Sequence, residues 1–245
     1  MKRTRLLVVL WLTLAPLLLL VWYREPTTNR HRAAFALCLA LFLLGGLLFA
    51  WPRKVTRYLV LGFYALCMLF LVSPFSPAPD PVKLRAAYCR ELLSYRGCAY
   101  VWGGEGRFGV DCSGLMRRGL IDAAGKEGLC RLNPQLARTA LWLWWHDGSA
   151  ATMGDGYAGR TRPIATAPAL NQLDHATIRP GDLAVTKSGL HVLAYLGNRQ
   201  WISADPVKQR VIVNDAADAS NGYLQVPVKI VRWTLLDSRA PGPGK

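Results

Sequence analysis

Apolar positions in the first third of the chain are continuous rather than periodic. Residues 6–23 and 33–51 form uncharged runs of 18 and 19 residues. As helices they would extend roughly 27–29 Å, about one hydrocarbon thickness. A third run, 58–72, has only 15 residues and reaches spanning length only when extended to about 55–73. No small-x-small cleavage pattern follows the first run, which is therefore expected to be uncleaved. The expectation is three membrane helices within residues 1–73. Four prolines crowd residues 73–81, which predicts a Pro-rich linker at 74–81, extended to a semi-rigid spacer of roughly 28 Å.

The pattern changes beyond residue 81. Helical spacing runs over 82–95 and stops before Gly97; a glycine-rich loop follows, and 115–124 reads as a helix closed by Gly125. Asn133-Pro134 is a cap with proline at the first helical position, opening a helix to His146. Residues 154–162 read as a loop. Strand patterns follow at 179–185 (entered by a turn), 191–197, 200–206, 210–214 and 226–235. The expected fold is α+β over 82–236, with 237–245 as a flexible tail.

Charge refines this. The net charge is +15, from 30 Lys/Arg against 15 Asp/Glu. Residues 1–80 hold nine of the basic residues and two acids, placed at the ends of the apolar runs. Lys2, Arg3, Arg5, Arg53, Lys54 and Arg57 would share one side; Arg24, Arg30, Arg32, Lys83 and Arg85 would lie opposite. With three spans this bias puts the N-terminus inside and residues 82–236 outside; with two, the domain would be cytoplasmic. The remaining basic residues are scattered, with no run longer than Arg117-Arg118, which argues against nucleic acid and suits a lipid or anionic polymer surface. No Cys/His grouping has zinc spacing, so no metal is expected. A Cys89–Cys98 bridge is conceivable, but free thiols are the plainer reading.

Cys112 is expected at a helix N-terminus, where free N–H groups and the helix dipole would lower its pKa and line an oxyanion hole. His191 opens a strand downstream, the combination used by nucleophile–base pairs. Four strings carry a resemblance: YVWGG at 100–104, DCSGL at 111–115, RPGDL at 179–183 and HVLAYLG at 191–197. In order and spacing they resemble the NlpC-type cell-wall peptidases, papain-like enzymes with a cysteine-bearing helix packed on a small antiparallel sheet. The resemblance implies Cys112 as nucleophile and His191 as general base, without a cofactor. It also implies Tyr100 beside the nucleophile, Asp111 and Ser113 binding a substrate amine, and γ-D-glutamyl bonds of peptidoglycan stem peptides as the target.

The family's third catalytic position, twelve residues after the base, is Ser203 here. Trp201, Ser203 and Asp205 share one strand face, so Asp205 could orient the imidazole instead, a carboxylate being the better partner for imidazolium. Ser203 acting through water is the main alternative, and a backbone or other partner is a further one. The expected protein is a multi-pass peptidase of a bacterial inner membrane, with its catalytic domain outside, acting on peptidoglycan or muropeptide beside membrane lipid. An acyltransferase and a catalytically inactive wall-binding domain are the other readings. Trp142, Trp144 and Trp145 read as core, with a lid or membrane contact as alternatives; His146 and His175 read as surface residues.

Overall fold

The computed structural model describes residues 2–23 and 28–237, with the side chains of residues 11–21 and 28–237. Residues 24–27, including Arg24, and the expected tail beyond Asp237 lie outside the described residues. The chain divides into two compact units, 1–76 and 77–245.

The first unit has three helices, α1 (Lys2–Tyr23), α2 (Asn29–Ala50) and α3 (Lys54–Val72). The third run is lengthened at its N-terminus, to 19 residues. Trp11 of α1 stacks on Phe42 and Phe49 of α2 and donates to the Phe42 carbonyl at 2.7 Å. Among the described residues, α2 and α3 are long and apolar enough to cross a membrane, and almost none of their side chains is buried.

The second unit begins inside the expected spacer. Asn133 donates through Nδ2 to the Pro77 carbonyl at 2.8 Å, and Asp80 caps α4 (Pro81–Leu93) by accepting from Val82 and Lys83. The spacer is therefore shorter than the expected 28 Å, because its second half is held by this unit.

A two-stranded ribbon, β1 (Glu105–Gly106) and β2 (Gly109–Val110), leads into α5 (Cys112–Cys130). Gly125 does not end α5, contrary to expectation. The helix continues to cross α6 (Pro134–Trp145) closely at Gly128, where a Cβ would come within 2.8 Å of the Ala137 nitrogen. A short α7 (Ala150–Gly154) follows, and then β3 (Thr161–Ala167), whose first two residues fall in the expected 154–162 loop. β4 (Leu183–Thr186), β5 (Val192–Gly197), β6 (Gln200–Asp205), β7 (Arg210–Asp215) and β8 (Val228–Trp233) complete one antiparallel sheet, ordered β3-β8-β4-β5-β6-β7.

Both faces of the sheet are covered, which is why β4 and the first half of β5 read as apolar runs instead of alternating. On one face Tyr88 and Leu92 of α4 and Leu115, Met116 and Leu120 of α5 pack over Val185, Val192, Ala194 and Ile202. On the other, Leu170, Leu173 and Leu224 from connecting segments cover Leu193, Tyr195, Trp201 and Ile230. The fold is α+β, as expected.

Candidate active site

Cys112 is the first residue of α5, and Asp111 caps that helix. The Asp111 carboxylate accepts from the Gly114 N–H at 2.6 Å, the Ser113 hydroxyl at 3.0 Å and the Gly103 N–H at 2.8 Å. It thus ties the glycine-rich loop to the helix start, a capping arrangement worth about 1 kcal/mol. Gly114 permits the close approach, since a Cβ there would meet the Gly104 carbonyl oxygen at 2.2 Å.

The thiol is buried. Its Sγ lies 3.9 Å from the Leu190 carbonyl oxygen, and the N–H groups of Val192, Ser113 and Cys112 face it, each favouring the thiolate. Cys112 therefore sits against the backbone on both sides of His191. Burial, followed by the negative charge of Asp111, outweighs those donors and pushes the thiol up to about 11. This corrects the expectation of a lowered pKa: the helix end contributes as foreseen, but the site is too dry for it to prevail.

His191 is buried, and its N–H donates to the Thr186 hydroxyl at 3.1 Å. Burial drives its imidazole down to about 4, opposed by the charge of Asp205. The free protein thus holds a neutral thiol and a neutral imidazole.

The β5–β6 register pairs Ala194 with Ile202 and Tyr195 with Trp201; carried back along both strands, it sets His191 opposite Asp205. The Asp205 carboxylate is engaged elsewhere. One oxygen accepts from the N–H groups of Val207 and Lys208 at 2.7 and 2.9 Å, and the other from Asn221 Nδ2 at 3.2 Å. Asn221 in turn accepts from the Tyr223 N–H at 3.0 Å. The Tyr223 ring stacks on the imidazole, with centroids 3.9 Å apart. Asp205 thus reaches His191 through its field and through a chain of contacts. His191 Nε2 and Ser203 Oγ are both buried without a hydrogen-bond partner among the described residues.

Tyr223 was not foreseen. It lies in a short 3-10 turn within a stretch that carries no strand or helix signal. Burial, followed by the charges of Cys112, Asp111 and Tyr223, pushes the Tyr100 phenol up to about 12.

The other flagged residues lie elsewhere. Trp142 packs partly buried against the main core, stacks on His146 and carries the Arg160 guanidinium over its ring, while Trp145 is exposed. His175 is half-buried against Tyr195 and Trp201 and accepts from Trp201 Nε1. Asp182 of the RPGDL string forms a buried bidentate pair with Arg232, both bonds 2.6 Å. Cys89 and Cys98 are not joined by a disulfide.

A profile described as the NlpC/P60 family matches residues 97–231. No curated protein matches the chain. Among solved structures, NlpC1 from Trichomonas vaginalis is 20% identical with a TM-score of 0.42, over 64% of this chain and 46% of that one. The P60 domain of an antigen from M. avium subspecies paratuberculosis is 22% identical with a TM-score of 0.39, over 64% and 98%. An N-acetylmuramoyl-L-alanine amidase from Bacteroides uniformis is 11% identical with a TM-score of 0.45, over 61% and 98%. The chain spans less than half the length of the Trichomonas proteins it matches.

Proposed function

Since this chain belongs to the NlpC/P60 family, we propose that it is a membrane-anchored cysteine peptidase cleaving amide bonds in peptidoglycan stem peptides. The observation that carries the reading is the placement of the Cys112 thiol at the start of α5, against the Leu190–Val192 backbone that holds His191. His191 takes the thiol proton as Sγ attacks the scissile carbonyl carbon. The resulting oxyanion is met by backbone N–H groups at the start of α5. The imidazolium then protonates the departing amine, leaving a thioester on Cys112. Water, deprotonated by His191, releases the acyl product and restores the thiol.

Asp205 is the positioning residue in this scheme. Its charge favours imidazolium, and Asn221 links it to the Tyr223 backbone N–H, whose ring stacks on the imidazole. Replacing Asp205 by Ala is expected to shift the acid limb of the pH–rate profile, whereas Ser203→Ala should leave that limb in place. The reverse pattern would transfer the role to Ser203.

Anchoring is supported by α2 and α3, whose apolar side chains are left almost wholly uncovered by the protein. If α1 is counted as a third span, the bias of positive charges supports an orientation with the catalytic unit outside the cytoplasm. A thiol-blocking reagent added to whole cells tests this at a cysteine introduced on the catalytic surface; protection until lysis refutes the orientation. For the activity, the full chain in detergent is incubated with purified muropeptides and the products are weighed by mass spectrometry. Cleavage is expected for the native chain and not for Cys112→Ala; full activity in that variant would end the proposal.

A further inference from the structure

A cavity of about 760 Å³ lies where β3 and β4 end and β8 begins, the same end of the sheet as the catalytic pair. One wall is the β4–β5 turn, through Thr186, Lys187, Ser188 and Gly189. The next residue is Leu190, whose carbonyl touches the Cys112 thiol. The Thr186 hydroxyl bonds both the Ser188 hydroxyl at 3.1 Å and the His191 N–H at 3.1 Å. The cavity wall and the catalytic base therefore belong to one short, cross-linked turn. α7 buttresses it: Gly189 has φ +72°, and a Cβ there would lie 2.8 Å from Ala151 Cβ. Such a wall is held in place before a ligand arrives.

The charges lining the cavity are Asp155, Lys187 and Lys229. Lys229 donates to the Gly154 carbonyl at 2.9 Å and pairs with Asp155 at 3.1 Å, so these two balance. Lys187 is anchored by its backbone N–H on the Pro227 carbonyl at 2.8 Å, and its side chain has no ion-pair partner among the described residues. One positive charge is left over, with the Ser188 hydroxyl beside it.

We infer that this cavity is a substrate subsite for a carboxylate, carried by the stem peptide one or two residues from the scissile bond. It rests on the peptidase reading above. An extended peptide advances about 3.3 Å per residue, and Leu190, which touches the thiol, directly follows the turn that walls the cavity, so a chain running from Cys112 past Leu190 follows that turn. The Lys187 ammonium meets the carboxylate and Ser188 donates the second hydrogen bond. A charge-assisted pair at a partly open site is worth about tenfold in affinity.

The test uses the full chain in detergent with two synthetic stem peptides, identical except that one has the neighbouring carboxylate converted to a primary amide. Binding is read by calorimetry on the Cys112→Ala background, and turnover on the native background. The native chain should favour the carboxylate peptide about tenfold, through Kd and KM rather than kcat, and less so at high salt. Lys187→Ala should reduce the preference to about one, Lys187→Glu should invert it, and Lys187→Arg should preserve it. A preference that survives Lys187→Ala with an unchanged Tm overturns the inference, as does equal binding of the two peptides by the native chain. Lys187-dependent binding without cleavage would leave the subsite standing and remove the peptidase reading instead.

Discussion

The buried imidazole of His191 makes stability a function of pH in a definite direction. In the unfolded chain this histidine takes up a proton near 6.5, whereas in the folded protein burial delays protonation to about 4. Between those values the unfolded state binds the proton and the native state does not, so acid favours unfolding. The site imposes no penalty above pH 6.5; stability falls as the pH drops toward 4 and levels off below it. The difference between the two values corresponds to about 3 kcal/mol. For a unit of this size that is a Tm loss of about 6–12 °C. The assay is thermal unfolding of the full chain in detergent, followed by near-UV circular dichroism from pH 7 to pH 4, for the native chain and His191→Gln. Glutamine does not titrate, so the variant should keep the increment that the native chain loses, and the two curves should separate below pH 6.5. Parallel curves over that range would refute the argument that His191 is held neutral by burial.

Three further outcomes follow from the geometry. Iodoacetamide modification of Cys112, read by peptide mass spectrometry to separate it from exposed Cys67 and Cys130, should accelerate about tenfold per pH unit between 7 and 9, as the thiolate fraction grows; a rate already level at pH 7 would contradict the raised thiol. Asp182→Ala strands the buried Arg232 with only the more distant Asp237, 3.8 Å away, and should cost about 3 kcal/mol or more in thermal unfolding; a Tm within one degree of native would show the pair to be idle. Gly114→Ala pushes a methyl into the Gly104 carbonyl and should lower kcat/KM by about a hundredfold with helix content retained; a change within twofold would mean that the nucleophile turn relaxes freely.

How much of this was legible beforehand depended on whether the signal was local. Asp111, Cys112 and Gly114 announce a capped helix start by residue type alone, because capping and close approach are chemistry between near neighbours. The strands from β4 to β8 could be read from apolar runs bounded by turn residues. β3 was missed in part because it holds Pro163 and a bulge where it pairs with β8, features that read as a loop in one dimension. Gly125 reads as a stop in one dimension because the need for a long α5 lies in its packing against a second helix, α6, at Gly128 and Ala137, and not within α5 itself. The raised Cys112 thiol was hidden for a related reason. Helix position is written in sequence, but the dryness around the sulfur is assembled from Leu190 and Val192, some eighty residues away. Tyr223 had no local signal, since its role arises only where Asn221 meets Asp205.

The hydrogen bond from Asn133 to the Pro77 carbonyl bears on where the second unit can be excised. A fragment starting at residue 81 would discard Asp80, the cap that accepts from Val82 and Lys83, and would leave the Asn133 amide without its carbonyl at the start of α6. Two helix starts would fray at once, beside the α5–α6 corner that supports the nucleophile helix. A fragment starting at residue 77 keeps both, so a difference of four residues at the cut decides whether the excised enzyme is a sound substitute for the whole.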